Sequence, residues 1–438
     1  MENRAPAAPQ RFTTLAEWLA WFETLHPKKI DFSLDRICAV LEALGIATPR
    51  YRIVTVGGTN GKGSCVAILE SIYLQAGYKV GAFTSPHLWR FNERIRLGGA
   101  NVSDTTLIGI FAHMDNARGP ITLSYFEASA VAAMLHFAEQ QVDVAILEVG
   151  MGGRLDAVNV YDADAALIVS IDLDHREYLG PDREAIGREK AGILRAGKPA
   201  IVGDADPPQS VLAMAAGLGA PLRYLGRDYG VEAHARGLVY RRPAAAPRIF
   251  PRPPFGSSIQ RANAAACITV VDALQDVLPI REEAIAAGIS NARIAGRLDV
   301  RRVDEVEWVF DVAHNPAAAA GLHDAVERLP RAPRTLAVFG AMSDKDLASV
   351  LRPFIADVAE WLVAPVGSER GASVAQICDV LEELDARGVR AHADVAAACA
   401  AARASASPRE RVLAFGSFYL VGPAMSALRL YCSPLSAE

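Results

Sequence analysis

The segment Gly58-Thr-Asn-Gly-Lys-Gly-Ser64 holds the residue types needed to grip a phosphate chain. Glycines let backbone N–H groups turn inward around phosphate oxygens, and a following helix N-terminus adds positive potential. Lys62 could pair with the outer phosphates and the Ser64 hydroxyl could reach magnesium. The run departs from the standard G-x-x-x-x-G-K-[ST] loop, because Val56 takes the first glycine's place and Gly63 is inserted before Ser64. A glycine-rich turn without function is the alternative. A second candidate is Glu148, in Ala145-Ile-Leu-Glu-Val-Gly-Met-Gly-Gly-Arg154. A carboxylate ending an apolar strand is costly unless compensated. A magnesium ion on nucleotide phosphates would compensate it, and so would an ion pair with Arg154. His175, in Ser170-Ile-Asp-Leu-Asp-His175, follows another strand-like run and reads as a metal ligand or a structural hydrogen-bonder.

Lys190, in Gly187-Arg-Glu-Lys-Ala-Gly-Ile193, shares a predicted helical face with Ile186, Ile193 and Leu194. Burial lowers an amine's proton affinity, and a neutral amine can add carbon dioxide. The resulting carbamate would be an anionic oxygen ligand for a second magnesium. The alternative is a lysine that snorkels to solvent. In the second half, Phe310-Asp-Val-Ala-His-Asn-Pro316 ends a strand with polar groups. Asp311 could hold a ribose hydroxyl and His314 could approach a reacting phosphate. Asn315-Pro316 equally suits a helix cap and first turn. Phe415-Gly-Ser-Phe-Tyr419 reads as a strand-to-helix turn.

These residues need elements that deliver them to one place. Helical patterns cover Thr13 to Leu25 and Leu34 to Leu44, then Cys65 to Ala76 after the glycine loop. Apolar, strand-length runs fall at 52–56, 80–83, 143–147 and 166–171, with helical segments around them. Such alternation implies an α/β fold with a mostly parallel sheet covered on both faces, whose strand ends face a ligand crevice. The Pro/Arg-rich stretch 223–254 reads as strands and loops at the sheet margin. Helices resume at 259–273 and 281–287. A second α/β series, with strands at 298–302, 308–311, 335–339, 360–364 and 412–415, predicts a boundary near 293–297.

The chain has 438 residues, enough for two or three domains, and 51% are hydrophobic. A net charge of -5 gives no electrostatic footprint for nucleic acid. No apolar run approaches the roughly 18 residues of a membrane span, and Met1 to Gln10 lacks a signal-peptide core. Cys38, Cys65, Cys267, Cys378, Cys399 and Cys432 are scattered without a CxxC pair. Reduced thiols in a cytoplasmic protein fit that pattern better than disulfides or a zinc site.

Taken together, the segments resemble the folylpolyglutamate synthase and dihydrofolate synthase family of the Mur-ligase superfamily. The shortened loop Gly58 to Ser64 matches that superfamily's form. Thr84-Ser-Pro-His-Leu88, Leu147 to Ala157, Leu173-Asp-His175, Arg188 to Ile193, Asp311 to Pro316, Ser343-Asp-Lys-Asp346 and Phe415 to Tyr419 follow in the family's order. The resemblance implies an ATP-binding domain at 1–295, of the Mur-ligase P-loop type. It implies a smaller Rossmann-like glutamate-ligase domain at 296–438, with ATP between the two. Gly58, Thr59, Asn60, Gly61, Lys62, Gly63 and Ser64 would hold the phosphates, and Asn263, Arg297 and Asp311 would contact the nucleotide. Ser64, Ser85, Glu148, His175 and carbamylated Lys190 would hold two magnesium ions. Lys62, Lys190 and His314 would serve catalysis.

The bifunctional type is the nearest match. In it, Thr24, Leu25, His26 and Pro27, with Leu123, Ser124, Tyr125 and Phe126 and with Leu155, Asp156 and Ala157, would border the dihydropteroate site. Two departures stand out: Asp172, near His175, replaces a small or apolar residue, and Arg297-Leu-Asp299 replaces Arg-Phe-Gln. The implied reaction phosphorylates a carboxylate with ATP, and the glutamate amine then displaces phosphate, on dihydropteroate first and on tetrahydrofolate later. A monomer is the family's usual state. Three readings compete: a monofunctional folylpolyglutamate synthase, a Mur-type ligase acting on a nucleotide-linked peptide, and an ATP-hydrolysing switch.

Overall fold

The computed structural model describes residues 11–28, 31, 33–255 and 258–430. Met1 to Gln10, Lys29, Ile30 and Cys432, on which some of the sequence readings fall, lie outside the described residues. The chain divides into two compact units. One comprises 1–87, 91–254 and 261–292, and the other 88–90, 255–260 and 293–438.

The first unit is built on eight strands: β1 (Arg52–Gly57), β2 (Val80–Phe83), β3 (Ile95–Leu97), β4 (Ala100–Asn101), β5 (Val144–Glu148), β6 (Ala165–Ile168), β7 (Ala200–Val202) and β8 (Leu222–Tyr224). Their order is β4-β3-β2-β5-β1-β6-β7-β8. The strands from β2 to β8 in this order are parallel, and β3 and β4 turn antiparallel at one edge. Central strands β1, β5 and β6 are almost wholly buried, as a parallel sheet covered on both faces requires.

The helices that matter to the site are α1 (Leu15–Leu25), α2 (Asp35–Ala43), α3 (Lys62–Gln75), α4 (Asp104–Arg118), α5 (Tyr125–Glu139), α6 (Arg176–Leu179) and α7 (Arg183–Ala191). Helix α3 buries Val66, Ile68, Leu69, Ile72 and Tyr73 against the sheet and against the helix Glu282–Asn291. Gly288 makes that approach possible, since a Cβ there would stand 2.4 Å from the Ile72 Cα. A helix apolar on every side needs such double cover.

Two readings from the sequence change here. The stretch 223–254 is not only sheet margin. After β8 it forms a separate three-stranded antiparallel sheet of β9 (Gly230–His234), β10 (Gly237–Arg241) and β11 (Arg248–Phe250). The run 166–171 ends as a strand at Ile168, because Ser170 turns away to bind the glycine loop. Short strands β3, β4 and β7 carried too few residues to show a period.

The second unit has six strands: β12 (Asp299–Val303), β13 (Val306–Asp311), β14 (Thr335–Phe339), β15 (Val358–Val363), β16 (Val389–Ala391) and β17 (Arg411–Phe415), in the order β12-β13-β17-β14-β15-β16. All are parallel except β12. Trp308, Phe310, Leu336, Val338 and Val412 fill one face, and Phe339, Phe354, Trp361 and Phe415 the other. Among the described residues no helix is long and apolar enough to cross a membrane, and the five described cysteines form no disulfide.

Candidate active site

Register alone brings the first group of residues together. Val56 of β1 pairs with Glu148 of β5, Gly57 pairs with Ile168 of β6, and Phe83 of β2 pairs with Leu147. Four neighbouring parallel strands thus end at one edge. They release the glycine loop, Glu148, the Ser85 segment and the Ser170–His175 segment there. This is the edge at which parallel sheets bind ligands.

The glycine loop is held open from outside. Thr59 N–H donates to the Ser170 carbonyl at 2.7 Å, and Asn60 N–H to the Ser170 hydroxyl at 3.1 Å. The Thr59 hydroxyl lies 3.2 Å from the Asp172 carbonyl. Ser170 was not singled out by sequence, which placed it inside the strand-length run 166–171. Gly58 and Gly61 have φ of 140° and 89°, which L side chains rarely adopt. A Cβ on Gly61 would meet the Asn263 amide at 2.8 Å, so Asn263, 3 % exposed, packs against the loop. Lys62 opens α3, and its ammonium donates to the carbonyls of Gly58 (3.0 Å) and Thr59 (3.3 Å). Gly63 and Ser64 follow in the first turn, with Ser64 buried.

Glu148 is 4 % exposed and accepts the Ser85 backbone N–H at 3.1 Å. Its alternative partner is spoken for: Arg154 pairs with Glu189 at 3.0 Å. His175 sits at φ 49°, a left-handed conformation that histidine tolerates better than most residues. The Asp174 carboxylate lies 3.8 Å from the His175 imidazole Nε2. Asp172 caps the Leu173 N–H at 2.8 Å. Oxygen donors from serine and glutamate, with one imidazole, suit a hard divalent cation such as magnesium or manganese.

Lys190 lies near the C-terminal end of α7, 4 % exposed. Helix α7 stops at Ala191, so Ile193 and Leu194 belong to the following turn and not to the helical face. Both are buried, and the apolar surroundings expected from them are present. A snorkelling lysine is therefore not what forms. Burial, reinforced by the charge of Lys62, drops the Lys190 amine to about 7, against the pull of Asp174 and Asp156. Asp156 is pushed up to about 6 by burial, although the N–H groups of Met151 and Val158 and the charge of Lys62 oppose the shift.

Asp156 also belongs to a second group. His26 Nδ1 lies 2.8 Å from the Thr122 hydroxyl and Nε2 lies 3.2 Å from Asp31. Arg36 then bridges Asp31 (3.2 Å) and Glu127 (2.8 Å). These bonds tie the Thr24–Pro27 segment to the start of α5. Phe126 packs over Gly150, where a Cβ would stand 2.5 Å from the ring. That contact joins α5 to the loop bearing Leu155, Asp156 and Ala157. The Tyr125 ring lies edge-on to Phe91 and beneath the Arg94 guanidinium at 5.4 Å. Several members face inward. Leu123 is fully buried in the core and Ser124, also buried, caps α5 through Glu127, whereas Thr24 is exposed and its hydroxyl donates to the Trp21 carbonyl at 3.0 Å. The side chains of Leu123 and Ser124 shape the wall rather than line it.

In the second unit Asp311 ends β13 opposite Phe415 of β17, so the loops after both strands lie side by side. The Asp311 carboxylate accepts the N–H groups of Leu298 and Ala313, each at 2.8 Å. Burial raises its proton affinity, and Arg297 and those N–H groups oppose the rise. Arg297 lies 5.5 Å from the centre of the Phe418 ring, and the His314 ring 6.3 Å from it. His314 Nδ1 is 2.8 Å from the Val312 carbonyl; a carbonyl only accepts, so Nδ1 carries the hydrogen. Asn315 caps the helix Pro316–Glu327, as the capping alternative required, and that role coexists with Asp311 and His314. Phe418 is the residue the sequence reading underused.

Comparison with known proteins fits this geometry. Residues 56–236 match the Mur ligase middle domain, and 296–418 match the Mur ligase glutamate ligase domain. The chain is 41% identical to the dihydrofolate synthase/folylpolyglutamate synthase of Escherichia coli (strain K12), over 96% of this chain and 97% of that protein. Escherichia coli FolC in complex with DHPP and ADP is similar in structure, with TM-score 0.89 and 40% identity, covering 96% of this chain and 99% of that one. A bifunctional folylpolyglutamate synthase/dihydrofolate synthase with Mn, AMPPNP and L-glutamate bound gives TM-score 0.87 and 40% identity, covering 96% and 100%. The chain belongs to the dihydrofolate synthase/folylpolyglutamate synthase family of ATP-dependent ligases, with the α/β architecture of the Mur ligases.

Proposed function

We propose that the protein adds L-glutamate to dihydropteroate, giving dihydrofolate, and to tetrahydrofolate, giving polyglutamates, each through an acyl phosphate made with ATP. The observation that carries this reading is the convergence at one sheet edge of the glycine loop and Glu148, with Lys190 within electrostatic range of Lys62. In this reading residues 1–295 serve ATP binding and residues 296–438 serve as the glutamate-ligase domain. The enzyme acts in the cytoplasm as a monomer.

A carboxylate is a poor acyl donor, because its leaving group would be oxide. Moving the γ-phosphoryl group onto the carboxylate oxygen supplies a leaving group, and the glutamate amine then displaces phosphate. The transfer needs positioning and charge neutralisation above all. Thr59 to Ser64 present N–H groups to the phosphates, and Lys62 neutralises charge that builds during transfer. Asn263, Arg297 and Asp311 hold the nucleotide, and His314 positions the moving phosphoryl group through Nε2. Two magnesium ions, held by Ser64, Ser85, Glu148, His175 and a Lys190 carbamate, would add neutralisation of the phosphates when bound. The walls built from Thr24–Pro27, Leu123–Phe126 and Leu155–Ala157 accept the pterin end of dihydropteroate. Exclusion of water protects the acyl phosphate from hydrolysis.

The test is product analysis by mass spectrometry after incubation with ATP, magnesium and glutamate. The expected result is a glutamylated product from dihydropteroate and another from tetrahydrofolate. A product from tetrahydrofolate alone would remove the dihydrofolate synthase half of the proposal.

A further inference from the structure

Arg96, on edge strand β3, is placed by no motif. Its guanidinium makes a fork to Glu70 of α3, with Nε 2.9 Å and Nη2 2.8 Å from Oε2. Its Nη1 donates to the Thr84 hydroxyl and to the Glu93 carbonyl, both at 3.0 Å. The Thr84 hydroxyl also donates to the Glu93 carbonyl at 3.2 Å, and the Thr84 N–H to the Arg94 carbonyl at 2.9 Å. Thr84 directly precedes Ser85, whose N–H binds Glu148. Arg96 keeps 18 % of its side chain exposed and Glu70 keeps 8 %. Burial works against the guanidinium's charge, but Glu70, Glu148 and Glu93 together outweigh it.

One planar cation therefore touches three parts of the site's frame. It anchors the helix that begins with Lys62, it fixes the turn that presents Ser85, and it stands within electrostatic range of Glu148. Only a fork can do this, because a lysine has one nitrogen to share among three directions. We propose that Arg96 is a positioning residue for the divalent-cation site, setting the Ser85–Glu148 pair through Thr84. This rests on the assignment of Ser85 and Glu148 to that cation. A plain structural clamp between α3 and β3 is the competing role, and it runs through Glu70 alone.

The two roles separate in manganese binding, measured by electron paramagnetic resonance on protein saturated with AMPPNP. Arg96→Lys keeps a cation beside Glu70 and loses the fork. Its manganese affinity is expected to fall about tenfold or more, the scale found when a group supporting a metal ligand is lost. Thr84→Val, which removes the acceptor without a buried charge, should fall in the same direction. Glu70→Gln, which breaks the clamp and leaves Thr84 and Glu148 facing Arg96, should stay within about threefold of wild type. Thermal unfolding of each variant accompanies the binding. Equal losses in Glu70→Gln and Arg96→Lys, or wild-type affinity in Arg96→Lys and Thr84→Val, would overturn the proposal. No manganese binding by the wild-type complex would instead overturn the cation assignment beneath it.

Discussion

The Lys62→Ala protein is expected to lose ligation by about a hundred- to a thousandfold, the scale on which one preorganised charge-stabilising group acts. Two of the three ammonium N–H bonds turn to the loop's own carbonyls, at Gly58 and Thr59. The charge is thereby fixed over the loop before any phosphate arrives. The fold should survive the change, because position 62 is the first residue of α3 and alanine suits a helix. A second effect follows from the neighbourhood. Lys62 helps to hold the Lys190 amine down, so its removal raises the proton affinity of Lys190. Less carbamate should form at neutral pH. Steady-state rates with both acceptors, beside thermal midpoints, check the prediction. A folded Lys62→Ala enzyme with near-wild-type rates would remove the phosphate-loop assignment.

The Lys190→Met protein is expected to be as stable as wild type or more stable, and about a hundredfold less active, taking a lost metal ligand as costing at least what a lost supporting group costs. Methionine nearly keeps the volume and removes an amine whose burial is costly. The native amine, at about 7, lies below its unfolded value of 10.5. Between these values the unfolded chain binds the extra proton, so this group's penalty to stability shrinks as pH rises from about 7 towards 10.5. Below about 7 the amine is protonated in the fold and does not add carbon dioxide. Carbamate occupancy, followed by carbon-13 resonance in labelled bicarbonate, should therefore rise through pH 7 in wild type and be absent in Lys190→Met. Full activity in Lys190→Met would exclude the carbamate from the reaction.

The central strands and the glycine loop were legible in the sequence because their signals are local. A β-branched run followed by Gly57-Gly58 can only end a strand, and buried parallel strands read as unbroken apolar runs. Glu148 stood out because a carboxylate in such a run needs a reason. What sequence could not show was sheet order. Residues 57, 85, 148 and 170 come from four separate segments, and only the order β2-β5-β1-β6 puts them side by side. The same holds for Arg96, whose partners lie 26 residues back at Glu70 and 12 back at Thr84. Lys190 could not be told from a snorkelling lysine without its burial. At the departure Asp172, the carbonyl lies against the Thr59 hydroxyl and the carboxylate accepts the Leu173 N–H.

In the second unit the Asp311–Pro316 segment was readable as a helix cap or a site, and the structure forms the cap without using Asp311 or His314 for it. The cap uses Asn315, while Asp311 and His314 turn to Leu298, Ala313 and Val312. Phe418, whose ring stands near both Arg297 and His314, lay in the Phe415–Tyr419 motif but was given no role of its own, because one aromatic after a strand reads as core.

The central claim is that ATP turnover is coupled to amide formation with glutamate. Phosphate release from ATP and magnesium in the presence of dihydropteroate, with and without L-glutamate, tests it most directly. The account predicts release that needs both the acceptor and glutamate. Steady release of phosphate without glutamate, at the same rate as with it, would contradict the account and leave an ATP hydrolase.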